Sequence, residues 1–396
     1  MKHFIKIFLF TLPVSIISCS MFEPSTPDSN QVLDGPIPGL TTDEHQQFIR
    51  GDNAFNAQIF NVDNGLGPLF VATSCGSCHA GDGKGHPFTT LIRFGQPDQN
   101  GNLFLDQGGP QLQSKAIPGF SPEQLPPGAT FTKLLPPANT GLGFIDAVSD
   151  ADIIDWEDPT DANGDGISGE ANWVSLKYYV AGRPNCVVRN EKYIGRFGKK
   201  GATYSLLQQT AQAYNQDIGV TSTYEEIDTY SGHASDPEVS NQTLADVVFY
   251  LKTLKAPIPR TETNEILAGK QLFMTIGCAS CHRPEMKTGA SSIAALSNKT
   301  FYPYTDLLLH DMGAGLDDGY TESSATSSEW RTPALWGLGL SKNSQGGQYY
   351  LLHDGRATSI EEAILLHGGE GDLSKEKYKS LSSDEKKKLI QFLESL

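Results

Sequence analysis

The chemistry of this chain is concentrated in two pentapeptides, Cys75-Gly76-Ser77-Cys78-His79 and Cys278-Ala279-Ser280-Cys281-His282. In a Cys-x-x-Cys-His run, two thiols one helical turn apart can add across the two vinyl groups of a porphyrin, and the next histidine falls beneath the iron as axial ligand. Six cysteines and nine histidines are scattered over 396 residues, and a shuffled chain of that composition would hold about 0.002 such motifs, so chance is set aside. A thioredoxin-like pair needs no histidine after its second cysteine, and a zinc site of four thiols leaves both histidines unexplained. The motifs therefore imply two covalently bound haem c groups with His79 and His282 on the irons.

Such motifs need helices to hold them, and the sequence offers helices twice. Leu69-Phe70 stands before Cys75 and Leu272-Phe273 at the same distance before Cys278. Val248-x-Tyr250-Leu251-x-x-Leu254 is echoed by Ile390-x-Phe392-Leu393-x-x-Leu396, each an amphipathic helical stretch following a motif. The expected fold class is mainly α, with two cytochrome c-like haem domains at 41–254 and 261–396. Between them Lys255-Ala256-Pro257-Ile258-Pro259-Arg260 breaks helix and suits a linker. The first domain is much the longer, so it should carry a large Gly- and Pro-rich, loop-rich insertion between roughly Gly81 and Asn241.

The N-terminus reads as a leader. Lys2 and Lys6 precede and interrupt an apolar run closing on Ile16-Ile17-Ser18-Cys19, which fits a lipoprotein signal over 1–18 with Cys19 lipidated; a plain signal peptide cut elsewhere is the alternative. Residues 19–40, rich in Pro, Ser, Asp and Gly, suit a flexible tether. These features imply a periplasm-facing protein of the cell envelope, held to a membrane by lipid. Net charge is −16, and −18 without the two leader lysines. Nucleic acid is an improbable partner for such a chain, and a small basic redox protein a better one. Cys186 remains unassigned and is expected as a buried small residue.

Further candidates lie around the motifs. Asp161-x-Asn163-x-Asp165-Gly166 repeats the first half of a calcium loop, and a solvated Asp/Asn/Gly turn is the competing account. The second half of the chain carries His310-Asp311-Met312-Gly313, Glu329-Trp330-Arg331-Thr332-Pro333, His353-Asp354-Gly355-Arg356 and His367-Gly368-Gly369. Together with Asn163-Gly164-Asp165-Gly166-Ile167-Ser168-Gly169 and Gly195-Arg196-Phe197-Gly198, these stretches resemble the bacterial dihaem oxidoreductases of peroxidase type. That family is related to the dihaem cytochrome c peroxidases and to the dihaem enzyme that matures methylamine dehydrogenase.

The resemblance implies roles. In the peroxidases a methionine fourteen residues after the His-Asp-Gly histidine closes the sixth position of the second haem, and here that spacing lands on His367. Met312 is the runner-up ligand, and a helix-end cap is the bland reading of His367. His310, His353 and Arg356 would sit at the haem edge and hold propionates. At the first haem, where the relatives admit peroxide, Gln111 and Gln113 could orient it, or could simply bond their own loop. His86 and His233 carry no motif. Lys199 stands where family members usually have tryptophan, which puts an aromatic relay there in doubt. The implied activity is reduction of hydrogen peroxide at the first haem with electrons relayed through the second. A dihaem electron carrier without a peroxide site is the alternative.

Overall fold

The computed structural model describes residues 33–396 except 96, 99, 100, 103, 105, 106 and 108. The leader, Cys19 and the tether as far as residue 32 lie outside the described residues. Seven helices carry the frame: α1 (Thr42–Asp52), α2 (Leu206–Ala213), α3 (Asn241–Thr253), α4 (Asn264–Thr275), α5 (Ile360–Leu365), α6 (Asp372–Ser380) and α7 (Ser383–Ser395). Their starts are written in the sequence. Thr41 with Glu44, and Ser382 with Glu385, form capping boxes, while Ser205, Ser240, Thr263 and Ser359 each accept a first-turn amide. No helix among the described residues is long and apolar enough to cross a membrane.

The repeat is real at atomic level, in a different register from the one the motif spacing suggests. Helix α1 crosses α3 at Gly51, where a Cβ would stand 2.1 Å from the Asp246 carbonyl oxygen; α4 crosses α7 at Gly269, where a Cβ would stand 2.1 Å from that of Lys388. Only glycine lets the backbones approach so closely. Four residues on, Phe55 meets Tyr250 at 5.5 Å between ring centroids, and Phe273 meets Phe392 at 5.4 Å. Phe55, not Phe70, is therefore the partner of Phe273. Leu69–Phe70 is a short strand, β1, paired with β2 (Lys115–Ala116), whereas Leu272 and Phe273 lie inside α4.

The segment 33–40, expected as tether, is docked. Leu33, Ile37 and Leu40 are buried, the Ile37 amide donates to Thr253 O at 2.8 Å, and the Lys255 amide donates to Gly35 O at 2.9 Å. The spacing of those three apolar residues was the signal that Pro and Gly masked. No regular element lies between α3 and α4, in keeping with the proline-broken stretch there, but the main core does not divide at that point. Met286, Ile293, Leu296, Phe301, Leu307 and Leu308 pack in one cluster with Ile37, Phe48, Phe55 and Tyr250. A second cluster gathers Phe273, Tyr304, Tyr378, Phe392 and Leu396.

The stretch between the first motif and α3 is built from turns, short helices and short strands. Its anchor is Arg196, fully buried, whose guanidinium donates to the carbonyls of Ile145 (3.0 Å), Asp146 (3.0 Å) and Val148 (2.6 Å) and pairs with Asp150. One buried fork organises a loop that has little regular hydrogen bonding of its own. In the second half, β3 (Leu309–Asp311) pairs antiparallel with β4 (Glu329–Arg331), which sets His310 opposite Trp330.

Candidate functional site

Both Cys-x-x-Cys-His runs close the same turn. The His79 amide donates to Cys75 O at 3.0 Å and the His282 amide to Cys278 O at 2.9 Å. In the second motif Gly277, at φ 96°, makes the left-handed exit from α4 that starts the turn. All four thiols are free of disulfides. Burial pushes Cys75 and Cys278 up to about 12 and Cys78 to about 11, and raises Cys281.

The two histidines are prepared alike. His79 Nδ1 donates to Pro137 O at 2.9 Å and His282 Nδ1 to Tyr304 O at 3.0 Å. A carbonyl can only accept, so Nδ1 carries the proton and Nε2 keeps its lone pair. Burial drives both rings down to about 4, so both are neutral at pH 7. Phe55 lies 5.9 Å from His79 and Phe273 6.4 Å from His282 between ring centroids. Two thiols in an apolar wall and a neutral imidazole with Nε2 bare are what a covalently held haem requires. The residues present fit that group at both places.

His367 shares the pattern. It follows α5, its Nδ1 donates to Ala363 O at 2.7 Å, and burial lowers its pKa. A charge on it would help lower His282, after the larger effect of burial. Gly371 leaves the room: a Cβ there would meet the Cβ of His367 at 3.0 Å and the methyl of Met312 at 3.3 Å. Met312, the alternative ligand, thus stands beside His367.

The three residues expected at the haem edge each have protein contacts of their own. His310 is clamped between Asp306 (Nε2, 2.9 Å) and Glu370 (Nδ1, 2.7 Å), with Cys281 Sγ at 3.6 Å and Ser168 Oγ donating to Glu370 at 2.7 Å. Burial would lower its pKa, but Asp306, Cys281 and Glu370 hold it well above the usual value. Both its nitrogens are spent on protein carboxylates. His353 stacks on Trp330 at 3.7 Å and 9°, and burial pushes it down to about 3, leaving it neutral. Arg356 is held by Asp354 (2.7 Å) and Gly315 O (3.0 Å).

Near the first motif three segments contribute buried polar side chains. Gln111 and Gln113 are buried; Gln113 Nε2 donates to Gln216 O at 3.0 Å and its amide to Glu123 Oε2 at 2.5 Å. Gln111 Nε2, Gln113 Oε1 and the Tyr214 hydroxyl are buried with no hydrogen-bond partner among the described residues. Tyr214 and Cys75 belong to one packed cluster. Burial raises the Glu123 carboxyl and drives Asp217 up to about 7, with Arg93 opposing. Arg93 itself pairs with Glu322 at 2.9 Å. Glu123, Tyr214 and Asp217 escaped sequence reasoning, because no local pattern announces a residue that only tertiary folding delivers.

The calcium-like string folds as a turn. Asp158 accepts the amide of Ala162 at 2.8 Å, Asp161 and Asn163 accept that of Asp165 at 2.9 and 2.8 Å, and Asp165 accepts that of Ile167 at 3.0 Å. Among the described residues the only His/Cys/Asp/Glu group close enough to share an ion is Cys281, Asp306 and His310, the hydrogen-bonded clamp already described. Cys186 is half-buried and unpaired.

A family model described as "Di-haem oxidoreductase, putative peroxidase" matches residues 135–396. No curated protein matches. Among solved structures, hydrazine synthase of Kuenenia stuttgartiensis, pressurised with xenon, is similar at a TM-score of 0.42 and 14% identity over 100% of both chains. A MauG-like protein associated with microbial copper homeostasis is similar at a TM-score of 0.40 and 14% identity over 95% of each chain.

Proposed function

The chain belongs to the di-haem oxidoreductase family, and from that premise we propose that it reduces hydrogen peroxide at the first haem, with electrons from a small redox protein relayed through the second. We propose two cytochrome c-like haem units with both haems attached through thioethers, at Cys75 and Cys78 and at Cys278 and Cys281. We place the protein in the cell envelope, facing the periplasm and anchored by lipid on Cys19. The haems supply redox-active iron. The observation that carries the reading is the set of buried, unpartnered polar atoms of Gln111, Gln113 and Tyr214 near the first motif, set against the buried His367, whose charge bears on His282, in the second.

Buried donors and acceptors without partners are costly, and persist where a ligand completes them. The free amide N–H of Gln111 can donate to a peroxide oxygen, and Gln113 Oε1 can accept from a peroxide O–H. One peroxide, two electrons and two protons give two waters, so the pocket must also deliver protons. Glu123 and Asp217, both held toward the neutral acid by burial, are placed to do so. At the second site His367 and His282 each offer a bare Nε2, which suits an iron that keeps its ligands through electron transfer. The acidic chain, at net charge −16, would draw a basic donor.

The test is stopped-flow absorbance of half-reduced holoprotein mixed with hydrogen peroxide. Rapid oxidation of both haems by one equivalent is expected. Two haems that stay low-spin and unreactive would make the protein an electron carrier instead.

A further inference from the structure

Matching buried cations to counter-charges leaves a remainder. Arg196 has Asp150, Arg183 has Asp146 and Arg93 has Glu322. Buried Lys200 is satisfied by the carbonyls of Thr326, Ser327 and Glu329 at 2.9, 3.0 and 2.8 Å, whereas half-buried Lys84, Lys199 and Arg331 have no carboxylate within ion-pair distance among the described residues. Among the described residues the Arg331 guanidinium reaches the carbonyls of Gly198 and Thr332, each at 3.1 Å, and the ammonium groups of Lys84 and Lys199 have no acceptor. Burial first, then the charges of Lys84 and Arg331, push Lys199 down to about 7; burial alone pushes Lys84 down to about 8. Like charges gathered without a carboxylate repel one another, as Lys84 and Arg331 do at Lys199, and a bound anion would relieve them.

Their position says which anion. Residues 135–137 act as a hub: Pro137 O receives His79 Nδ1, Pro136 O receives the Gly85 amide at 2.9 Å beside Lys84, and the Leu135 amide donates to His353 O at 2.7 Å. The Arg331 amide donates to Lys199 O at 3.1 Å, which ties β4 to the turn carrying Lys199. Lys199 is the charged side chain that His79 feels, and Arg331 feels Asp306, the partner of His310 beside Cys281. Lys84 thus follows the first motif and sits beside the segment that holds His79, while Lys199 and Arg331 are tied to one another through the backbone. Each haem carries two propionates, and His310, one of the residues expected to hold them, has both nitrogens on carboxylates.

We propose that Lys84, Lys199 and Arg331 bind the propionate carboxylates of the first haem, with Lys199 as the principal partner. The assignment rests on the dihaem reading. It accounts for lysine where relatives usually have tryptophan: the position serves charge neutralisation. A cation against a propionate also favours the reduced iron, so these residues hold the first haem's potential up.

The test uses holoprotein of Lys199→Met, Lys199→Arg and Lys84→Met, with haem counted by pyridine haemochrome. Fewer than two haems in the parent protein would sink the dihaem reading itself, whatever the variants do. With two haems present, Lys199→Met is expected to shift the reduction equilibrium of the first haem at pH 6, where the parental ammonium is charged, about tenfold toward the ferric form, equivalent to about 59 mV for one electron. Its propionate bending modes should move in resonance Raman, with spin state unchanged and the second haem unaffected. Lys84→Met should act in the same direction to a smaller degree, and Lys199→Arg should restore the parental values. Unmoved propionate modes in both methionine variants would overturn the assignment. So would a spin-state change in Lys199→Met, which would make Lys199 an iron ligand.

Discussion

At Gly51 and at Gly269 an early helix crosses a late one at the same separation, and in each case a phenylalanine four residues on reaches the motif histidine. Beyond that shared frame the halves part. The first surrounds its motif with buried polar atoms drawn from residues 93, 111–123 and 214–217, several of them without partners. The second brings His367 to its motif and ties up nearby charge in the Asp306–His310–Glu370 clamp. One helical plan, finished with a polar pocket in one place and a histidine in the other, can divide reaction from electron transfer. Fold alone would not assign that division, since the frame is common to both halves.

The comparison can be broken in order of expected effect. Glu123→Gln keeps the shape of the first pocket but removes its acid, and should cut kcat/KM for peroxide by about 10²- to 10⁴-fold in steady-state assays, while the equivalent measure of electron entry at the second haem stays unchanged. Gly51→Ala and Gly269→Ala, each forcing a Cβ to 2.1 Å from a backbone oxygen, should each destabilise by about 3 kcal/mol in urea titrations. Unequal losses would mean that the two crossings are not equivalent.

A smaller effect separates the paired aromatics. The Tyr250 hydroxyl donates to Asp82 Oδ1 at 2.5 Å, and burial holds Asp82 up to about 6, whereas Phe392 in the second half has no hydroxyl. Tyr250→Phe should therefore cost about 1–3 kcal/mol in urea titrations. The smallest effect is a slope. Asp217 titrates near 7 when folded, against about 3.9 for an unfolded aspartate. Folded protein therefore binds the extra proton between those values, and stability should fall as pH rises from about 4 to 7. Asp217→Asn should flatten that part of the profile in thermal melts; an unchanged slope would place Asp217 elsewhere in the titration.

Much of the frame was legible because it is local. The two pentapeptides, the helix caps at Thr41 and Ser382, and the echo of Tyr250-Leu251 in Phe392-Leu393 are all short-range patterns. The register of the repeat was misread because the chain inserts residues between Phe55 and Cys75, so Leu69-Phe70 matched the second motif by spacing while forming a strand. His367 was reachable because the family fixes its distance from His353. Glu123, Tyr214, Asp217 and the Lys84–Lys199–Arg331 group were not reachable, since each matters only for what folding brings beside it. The clamp on His310 was hidden for the same reason: its sequence neighbours give no sign of Glu370, sixty residues on, which takes its second nitrogen.

The central claim is an open first site and a closed second one. Low-temperature electron paramagnetic resonance of ferric holoprotein, parent and His367→Ala side by side, tests it most directly. The account predicts one high-spin and one low-spin signal in the parent, with the low-spin signal lost and both haems retained in the variant. Two low-spin signals that His367→Ala leaves untouched would contradict it.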